Sequence, residues 1–406
     1  MRTLEVSRRA GNLLPSPTRG LAPLAAQVES AGRRIYRLNL GQPDLPTPLS
    51  FYDGIRARLE GRLAYSPAEG FPETLAAWCD YYHGLGISLR PDEMVVTAGA
   101  SGALSFSMKA VLDVGDELLL LEPFFPNYLG HADLNGVVPV AVTTHSEDAY
   151  GLPDPGEIES AITPKTRAIL YGSPSNPTGA VYTERDLRTL VQIARRHGLF
   201  IIADEIYREY AYDAPAASLL SIPDAKDHSI VLDSVSKRVC ACGARIGLLA
   251  SRNQAVMDSV RKIAQTCLPP PTLGQYGLIG FINDPRYEKE LARITDTFRE
   301  RRDAAVEGLR DIPNVSCARP AGAFFIIAKL PIADTETFAR WLLTDYERNG
   351  ETVQVTPMSG FYLHPGKGRD ELRIAYVLEE DALRHAIHLL ADGLEAYCRR
   401  HHHGPS

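Results

Sequence analysis

From about residue 90 the chain alternates short, nearly all-apolar runs with stretches in which apolar residues recur every three or four positions. The apolar runs predict strands at Glu93–Thr97, Glu117–Leu121, Arg167–Tyr171, Leu199–Ala203, Ser229–Leu232 and Arg245–Ala250. A helix is predicted from Ser101, and another over Glu184–His197, where Leu187, Leu190, Ile193 and Ala194 recur at helical spacing. Strands that are apolar along their whole length are covered on both faces, and their alternation with helices implies a mostly parallel sheet.

The pattern changes towards the end. Gly322–Ala328 and Glu371–Val377 read as strands, and Thr335–Asn349 and Glu379–Arg399 as helices. Pro285 separates a long uncharged segment from a charged helical stretch, Tyr287–Leu309, and marks the expected domain junction. The N-terminal segment is too short to hold a core of its own. The expected fold is therefore α/β: a large domain over residues 45–285 with a mostly parallel central sheet covered by helices, plus a smaller α+β domain. Residues 1–44 and 286–406 together make up the smaller one.

Charge and cysteine content narrow the partners. The chain of 406 residues carries 43 Lys and Arg against 50 Asp and Glu, a formal charge of −7 with no long basic run. This argues against a nucleic-acid or membrane surface. Six cysteines form no disulfide framework, which fits the cytoplasm. Cys240 and Cys242 have no second pair at zinc-site spacing, so no metal is expected and both read as small packing residues. Residues 1–20 carry Arg2, Arg8, Arg9 and Arg19 but no apolar leader core. The longest uncharged run, Ile263 to Asn283, contains Pro269, Pro270 and Pro271 and does not read as a membrane span. His401, His402 and His403 read as a frayed tail.

In an open parallel sheet, ligands bind beyond the carboxyl ends of the strands. There the sequence places Thr97-Ala98-Gly99-Ala100-Ser101, Ser173–Gly179, Asp204 with Tyr207, and Asp233–Lys237, with Arg245 following. Alone, each fragment is an ordinary cap, turn or strand end. Together they match one ligand. A phosphate wants helix N-terminal amides, hydroxyls and a guanidinium, which Gly99, Ala100, Ser101, Ser234 and Arg245 supply. A carbonyl cofactor wants a lysine for a Schiff base, here Lys237. A protonated pyridine nitrogen wants a carboxylate, here Asp204, and a phenolic ring oxygen wants donors such as Asn176 and Tyr207. The ligand is pyridoxal 5′-phosphate.

The set Ser234-x-Ser236-Lys237 with Arg245 resembles the signature of the class I/II aminotransferases, the fold-type-I pyridoxal-phosphate enzymes, and the resemblance extends over nearly the whole chain. It implies that Lys237 anchors the cofactor and then moves the proton at the substrate Cα, its pKa lowered by burial, the cationic ring and Arg245. Asp204 would stay ionised against the ring nitrogen. Tyr207 and Asn176 would meet the ring oxygen, and Ser236 would join Ser234 at the phosphate. Pro123–Tyr128 resembles the segment whose aromatic, here Phe125, stacks on the ring. Leu40–Asp44 resembles the substrate-side segment containing Gly41, and Ser173–Gly179 the segment containing Asn176. Arg373 resembles the arginine that forks onto the α-carboxylate. Tyr65-Ser66-Pro67 resembles a segment that reaches the partner's phosphate, which implies a homodimer with shared active sites.

Two departures bear on the substrate. Ser101 stands where several bacterial aspartate aminotransferases carry a lysine that meets a side-chain carboxylate. Residues 268–272 form a proline-stiffened loop. A dicarboxylate would then need a counter-charge from the segment Arg33–Asn39 or from that loop. The resemblance implies an aminotransferase acting on an L-amino acid and a 2-oxo acid. It leaves open a lyase or synthase that uses the same cofactor for β- or γ-elimination or replacement, for instance on S-adenosylmethionine. A DNA-binding regulator is disfavoured, because no helix-turn-helix precedes the fold.

Overall fold

The computed structural model of the chain describes residues 4–13, 15–59 and 61–402. Its centre is a seven-stranded sheet in the order Met94–Thr97, Gly247–Ala250, Ser229–Ser234, Phe200–Asp204, Thr166–Gly172, Glu117–Glu122, Val138–Thr143. Gly247–Ala250 runs antiparallel to both neighbours, and the other pairings are parallel. Alternate residues of each strand enter opposite cores. Leu119, Ile169 and Ile201 pack with Leu187, Leu190 and Ile193 of the helix Glu184–His197. Leu118, Leu170 and Ile202 pack with Leu104 and Met108 of Ala100–Val111 and with Val260 of Gln254–Cys267. Each leucine so buried contributes roughly 1.5–3 kcal/mol.

The helix Glu184–His197 has the bounds its periodicity predicts, for local reasons. Thr183 and Asp186 cap its start reciprocally, and Gly198 ends it with a left-handed φ of 66°. Val138–Thr143 is an edge strand not read from the sequence, and it tolerates Pro139 because an edge has free hydrogen-bonding positions. The helices Leu49–Arg56 and Thr272–Ile282 pack closely, and a Cβ on Gly280 would collide with the backbone of Gly54.

The second part is a four-stranded antiparallel sheet, Thr356–Pro357, Glu371–Ala375, Phe325–Lys329, Ser316–Cys317. The helices Tyr287–Arg310, Thr335–Thr344 and Glu380–His402 contribute to its core. The N-terminal segment joins this part: Arg34–Arg37 pairs in parallel with Glu351–Gln354, and Ala25 and Val28 pack on Leu343. The last helix runs to His402 rather than fraying, with the His401 ring stacked 4.0 Å from Tyr397. His403 lies outside the described residues. Among the described residues no helix is long and apolar enough to cross a membrane.

Candidate active site

Strand register places the chemistry on one sheet edge. Gly172 pairs with Asp204, and both Thr97 and Ser234 pair with Gly247. These strand ends open into a cavity of about 690 Å³. The cavity wall includes Gly41, Ala100, Ser101, Phe125, Asn176, Asp204, Tyr207, Ser234, Ser236, Lys237, Arg245 and Arg373. The structure thus brings twelve of the fourteen sequence-derived residues to one wall. Gly99 stands directly behind it: with φ at 77°, a Cβ there would strike the Arg245 guanidinium.

Ser234 and Ser236 hydroxyls lie 2.9 Å apart, and Ser234 also donates to the Ile246 carbonyl at 2.8 Å. Arg245 Nη1 donates to the Cys242 carbonyl at 3.0 Å and reaches Ser236 Oγ at 3.5 Å. Arg245 is not a strand residue, as its sequence pattern suggested. It takes a left-handed φ of 55° just before Gly247–Ala250, because the chain turns there out of the loop into the sheet. At Gly247 a Cβ would collide with the backbone of Gly99 and Ala100, so the two loops meet along bare backbone. Hydroxyls, a guanidinium and the start of the helix Ala100–Val111 make a cradle suited to a phosphate.

Asp204 lies at the other end. Its carboxylate accepts the Tyr128 hydroxyl at 2.8 Å and is buried. Burial pushes its carboxyl up to about 6, and the bond from Tyr128 and the charge of Lys237 only partly oppose this. A buried carboxyl so short of positive charge suits a cationic ring nitrogen. Burial pushes the Lys237 amine down; Arg373 adds to this more than Arg245 does, while the nearby Cys242 thiol opposes it. Lys237 Nζ donates to the Gly41 carbonyl.

Arg373 is buried, and desolvation pushes its guanidinium down to about 10. Its Nη1 donates to Asn176 Oδ1 at 2.9 Å and its Nη2 to the Asn39 carbonyl at 2.7 Å, while Nε has no partner. Tyr207 and Asn176 line the same cavity wall. An uncompensated guanidinium of this kind fits a carboxylate. Carboxyl, amine, cradle and guanidinium together fit pyridoxal 5′-phosphate with an amino acid beside it.

Aminotransferase class I and II is the family whose model matches residues 35–390. The chain belongs to this family. The probable aspartate/prephenate aminotransferase of Thermus aquaticus is 30% identical over 396 residues, 96% of this chain and 99% of that protein. The structure of the aspartate aminotransferase from Thermus thermophilus with maleate superposes with a TM-score of 0.88 at 29% identity, covering 97% of this chain and 100% of that one. The alanine aminotransferase from Pyrococcus furiosus does so with a TM-score of 0.88 at 28% identity, covering 97% and 100%. The protein is an aminotransferase of the fold-type-I α/β class, and this family works with pyridoxal 5′-phosphate.

Two expectations about this aminotransferase need revision. Cys242 is more than a packing residue: it lines the cavity, with its sulfur 3.8 Å from Lys237 Nζ. Arg33, Arg34 and Arg37 face Glu347, Glu351 and Glu29 and do not line the cavity, so that of the segment Arg33–Asn39 only the uncharged Asn39 reaches it. Tyr65 is 81% exposed and lies outside the cavity.

Sequence reasoning missed Tyr128, although it lies three residues beyond Phe125 and its ring meets that of Phe125 edge-on at 5.7 Å. It also missed a buried charge cluster under the lysine loop. Arg238, next to Lys237, pairs with Asp233 at 2.7 Å and Glu209 at 2.9 Å, and Arg208 pairs with Asp233 at 3.0 Å and Glu205 at 3.1 Å. Burial alone would push the Asp233 carboxyl up, but Arg238 and Arg208 outweigh it and hold it below the usual range.

Proposed function

We propose that the protein transfers the amino group of an L-amino acid, aspartate or a related one, to a 2-oxo acid in the cytoplasm, as a pyridoxal-phosphate-dependent homodimer. The observation that carries this is the meeting of Lys237, Asp204 and Arg373 in one cavity. The relatives named for aspartate and prephenate support the substrate class, since both compounds carry a second carboxylate.

When bound, the cofactor supplies a carbonyl that carries the amino group and a ring that accepts the electron pair released at the substrate Cα. Ala100, Ser101, Ser234, Ser236 and Arg245 hold its phosphate. Phe125 covers one ring face, Asp204 keeps the proton on the ring nitrogen, and Asn176 and Tyr207 donate to the ring oxygen. Arg373 forks onto the substrate α-carboxylate and exchanges its present bonds to Asn176 and Asn39 for it. Lys237, whose hold on its own proton burial weakens, would take the Cα proton and deliver it across the amino nitrogen to the former carbonyl carbon of the cofactor. Gly41 lines the substrate side. Tyr65 serves the phosphate of the partner subunit. Residues 45–285 form the cofactor domain, and residues 1–44 with 286–406 form the smaller domain that carries Arg373.

The test is a single half-reaction. Holoenzyme given aspartate alone converts its cofactor stoichiometrically to the amine form, read by ultraviolet absorbance, and releases the oxo acid. Release of ammonia with the cofactor returned to its starting form overturns the transfer reading and marks elimination.

A further inference from the structure

The loop that carries Lys237 is closed on itself by one ion pair. Asp233 precedes it and Arg238 follows it, and Arg238 Nη2 donates to both Asp233 oxygens, at 2.8 and 2.7 Å. This pair ties residue 233 to residue 238 across Ser234, Val235, Ser236 and Lys237. The same carboxylate reaches into the loop, because its Oδ1 accepts the Ser234 amide at 2.7 Å. Its Oδ2 accepts the Tyr82 hydroxyl at 2.9 Å and Arg208 Nη2 at 3.0 Å, which anchors Asp233 to the rest of the cluster. Arg238 is anchored in turn by Glu209 at 2.9 Å and by the Tyr81 ring, whose centroid lies 3.9 Å from the guanidinium. At the end of the loop, the Tyr210 hydroxyl donates to the Lys237 carbonyl at 2.7 Å.

The loop does not hold this shape by itself. Val235–Arg238 is a single helical turn of four residues, and one isolated turn is unstable. Asp233 and Arg238 are both buried, as are Arg208 and Glu205. A buried ion pair seldom adds more stability than apolar side chains of the same volume would, since each charge must leave water. What it adds is direction: a planar guanidinium and a carboxylate meet in a narrow range of geometries. Direction is what the proposed chemistry needs, because Lys237 Nζ must reach the substrate Cα.

We infer that the Asp233–Arg238 pair is a clasp that positions Lys237 for transfer of the substrate Cα proton. This rests on the reading of Lys237 as the group that moves that proton. Neither Asp233 nor Arg238 lines the cavity, so both are positioning residues. Proton transfer depends steeply on the approach of amine and carbon, and a misplacement of about 1 Å can cost about a hundredfold in rate. Arg373, which holds the substrate, stands on Glu371–Ala375, outside the loop that the clasp closes. Loosening the clasp therefore slows the chemistry and spares substrate binding.

The test compares wild-type holoenzyme with Arg238→Lys, which keeps the charge and loses the guanidinium, and with Asp233→Asn, which keeps the shape and loses the charge. Leu190→Ala, in the core against the central sheet, controls for lost stability alone. The measurements are the rate constant for conversion of the cofactor by aspartate in a single turnover, the aspartate concentration that half-saturates it, and amide hydrogen exchange of segment 234–238 by mass spectrometry. The clasp variants are expected to convert the cofactor about ten- to hundredfold more slowly, with half-saturation within about threefold of wild type. The slowed step carries a primary isotope effect with Cα-deuterated aspartate. The segment exchanges about tenfold faster than in Leu190→Ala, which keeps the wild-type rate constant. An unchanged rate constant in the clasp variants, a slowing without an isotope effect, or equal slowing in Leu190→Ala overturns the inference. Where a clasp variant does not fold, Glu209→Gln, which removes only the second anchor of Arg238, takes its place with the same expected direction. If wild type converts no cofactor with any amino acid, the functional reading falls instead. Hydrogen exchange still decides the clasp then, since exchange equal to that of Leu190→Ala overturns it.

Discussion

Tyr128 donates its hydroxyl to the buried carboxylate of Asp204 at 2.8 Å. The bond opposes the burial that pushes the carboxyl up to about 6. The relationship has a sign that can be measured. A cationic ring nitrogen pairs with an ionised Asp204, so cofactor association with the stripped protein should weaken as pH falls through about 6. Tyr128→Phe removes a bond to the ionised form and should move this acid limb to higher pH. Asp204→Asn should abolish the limb and lower the rate by several orders of magnitude. Stopped-flow association measured between pH 5 and 8 checks all three, and a limb unmoved in Tyr128→Phe would separate Tyr128 from the carboxylate's titration.

Lys237→Ala should abolish the visible absorbance of the covalently held cofactor and nearly all activity. Lys237→Arg should not restore either. A guanidinium stays protonated, whereas burial and Arg373 weaken the lysine amine's hold on its proton. Spectra of the purified variants, with turnover measured on aspartate and a 2-oxo acid, decide this. Normal turnover in Lys237→Ala would remove the lysine from the chemistry.

The residues just discussed differ in how readily the sequence disclosed them. Lys237 and Asp204 follow strands whose nearly all-apolar runs, Ser229–Leu232 and Leu199–Ala203, set them on the sheet edge where ligands bind. The helix Glu184–His197 was legible because its apolar stripe and its Thr183 and Gly198 ends agree. Arg19 was not legible as a residue of the cavity wall. What brings it to the cavity is the pairing of Asn39 with Thr18 and the seat of Pro17 on Gly360, contacts across 21 and more than 300 residues that leave no local pattern. The same holds for Arg34–Arg37, whose strand partner Glu351–Gln354 lies more than 300 residues on. Tyr128 read as one aromatic among several until the fold set it against Asp204.

The charge cluster under the lysine loop makes a prediction about stability. Arg238 is buried and pairs with Asp233 and Glu209, and its guanidinium lies 3.9 Å over the Tyr81 ring. Arg238→Ala leaves two acidic groups short of a partner in a dry site. Breaking a buried pair from one side costs about 3–5 kcal/mol, far more than the loss of a surface pair. Denaturant unfolding should show that loss, whereas Arg188→Ala, which breaks an exposed i, i+4 pair with Glu184, should cost under about 1 kcal/mol. Equal effects would mean that the cluster is as well solvated as the surface.

Tyr65 and Arg373 test the shared site. Arg373 is buried in the cavity wall of its own chain, while Tyr65 is 81% exposed and lines no part of that cavity. The neighbouring chain segment holds further exposed apolar residues, Leu59 and Leu63. If Tyr65 meets the partner's phosphate, Tyr65→Ala and Arg373→Ala damage opposite sites of a dimer. A mixed dimer then has one site that lacks both groups and one that lacks neither. Mixing the two impaired variants, under conditions where subunit exchange is followed by native mass spectrometry, should restore activity towards half the wild-type value per mixed dimer. If each subunit instead used its own Tyr65, every site in the mixed dimer would keep one defect and activity would stay at the level of the parents. Recovery therefore distinguishes a shared site from two self-contained ones.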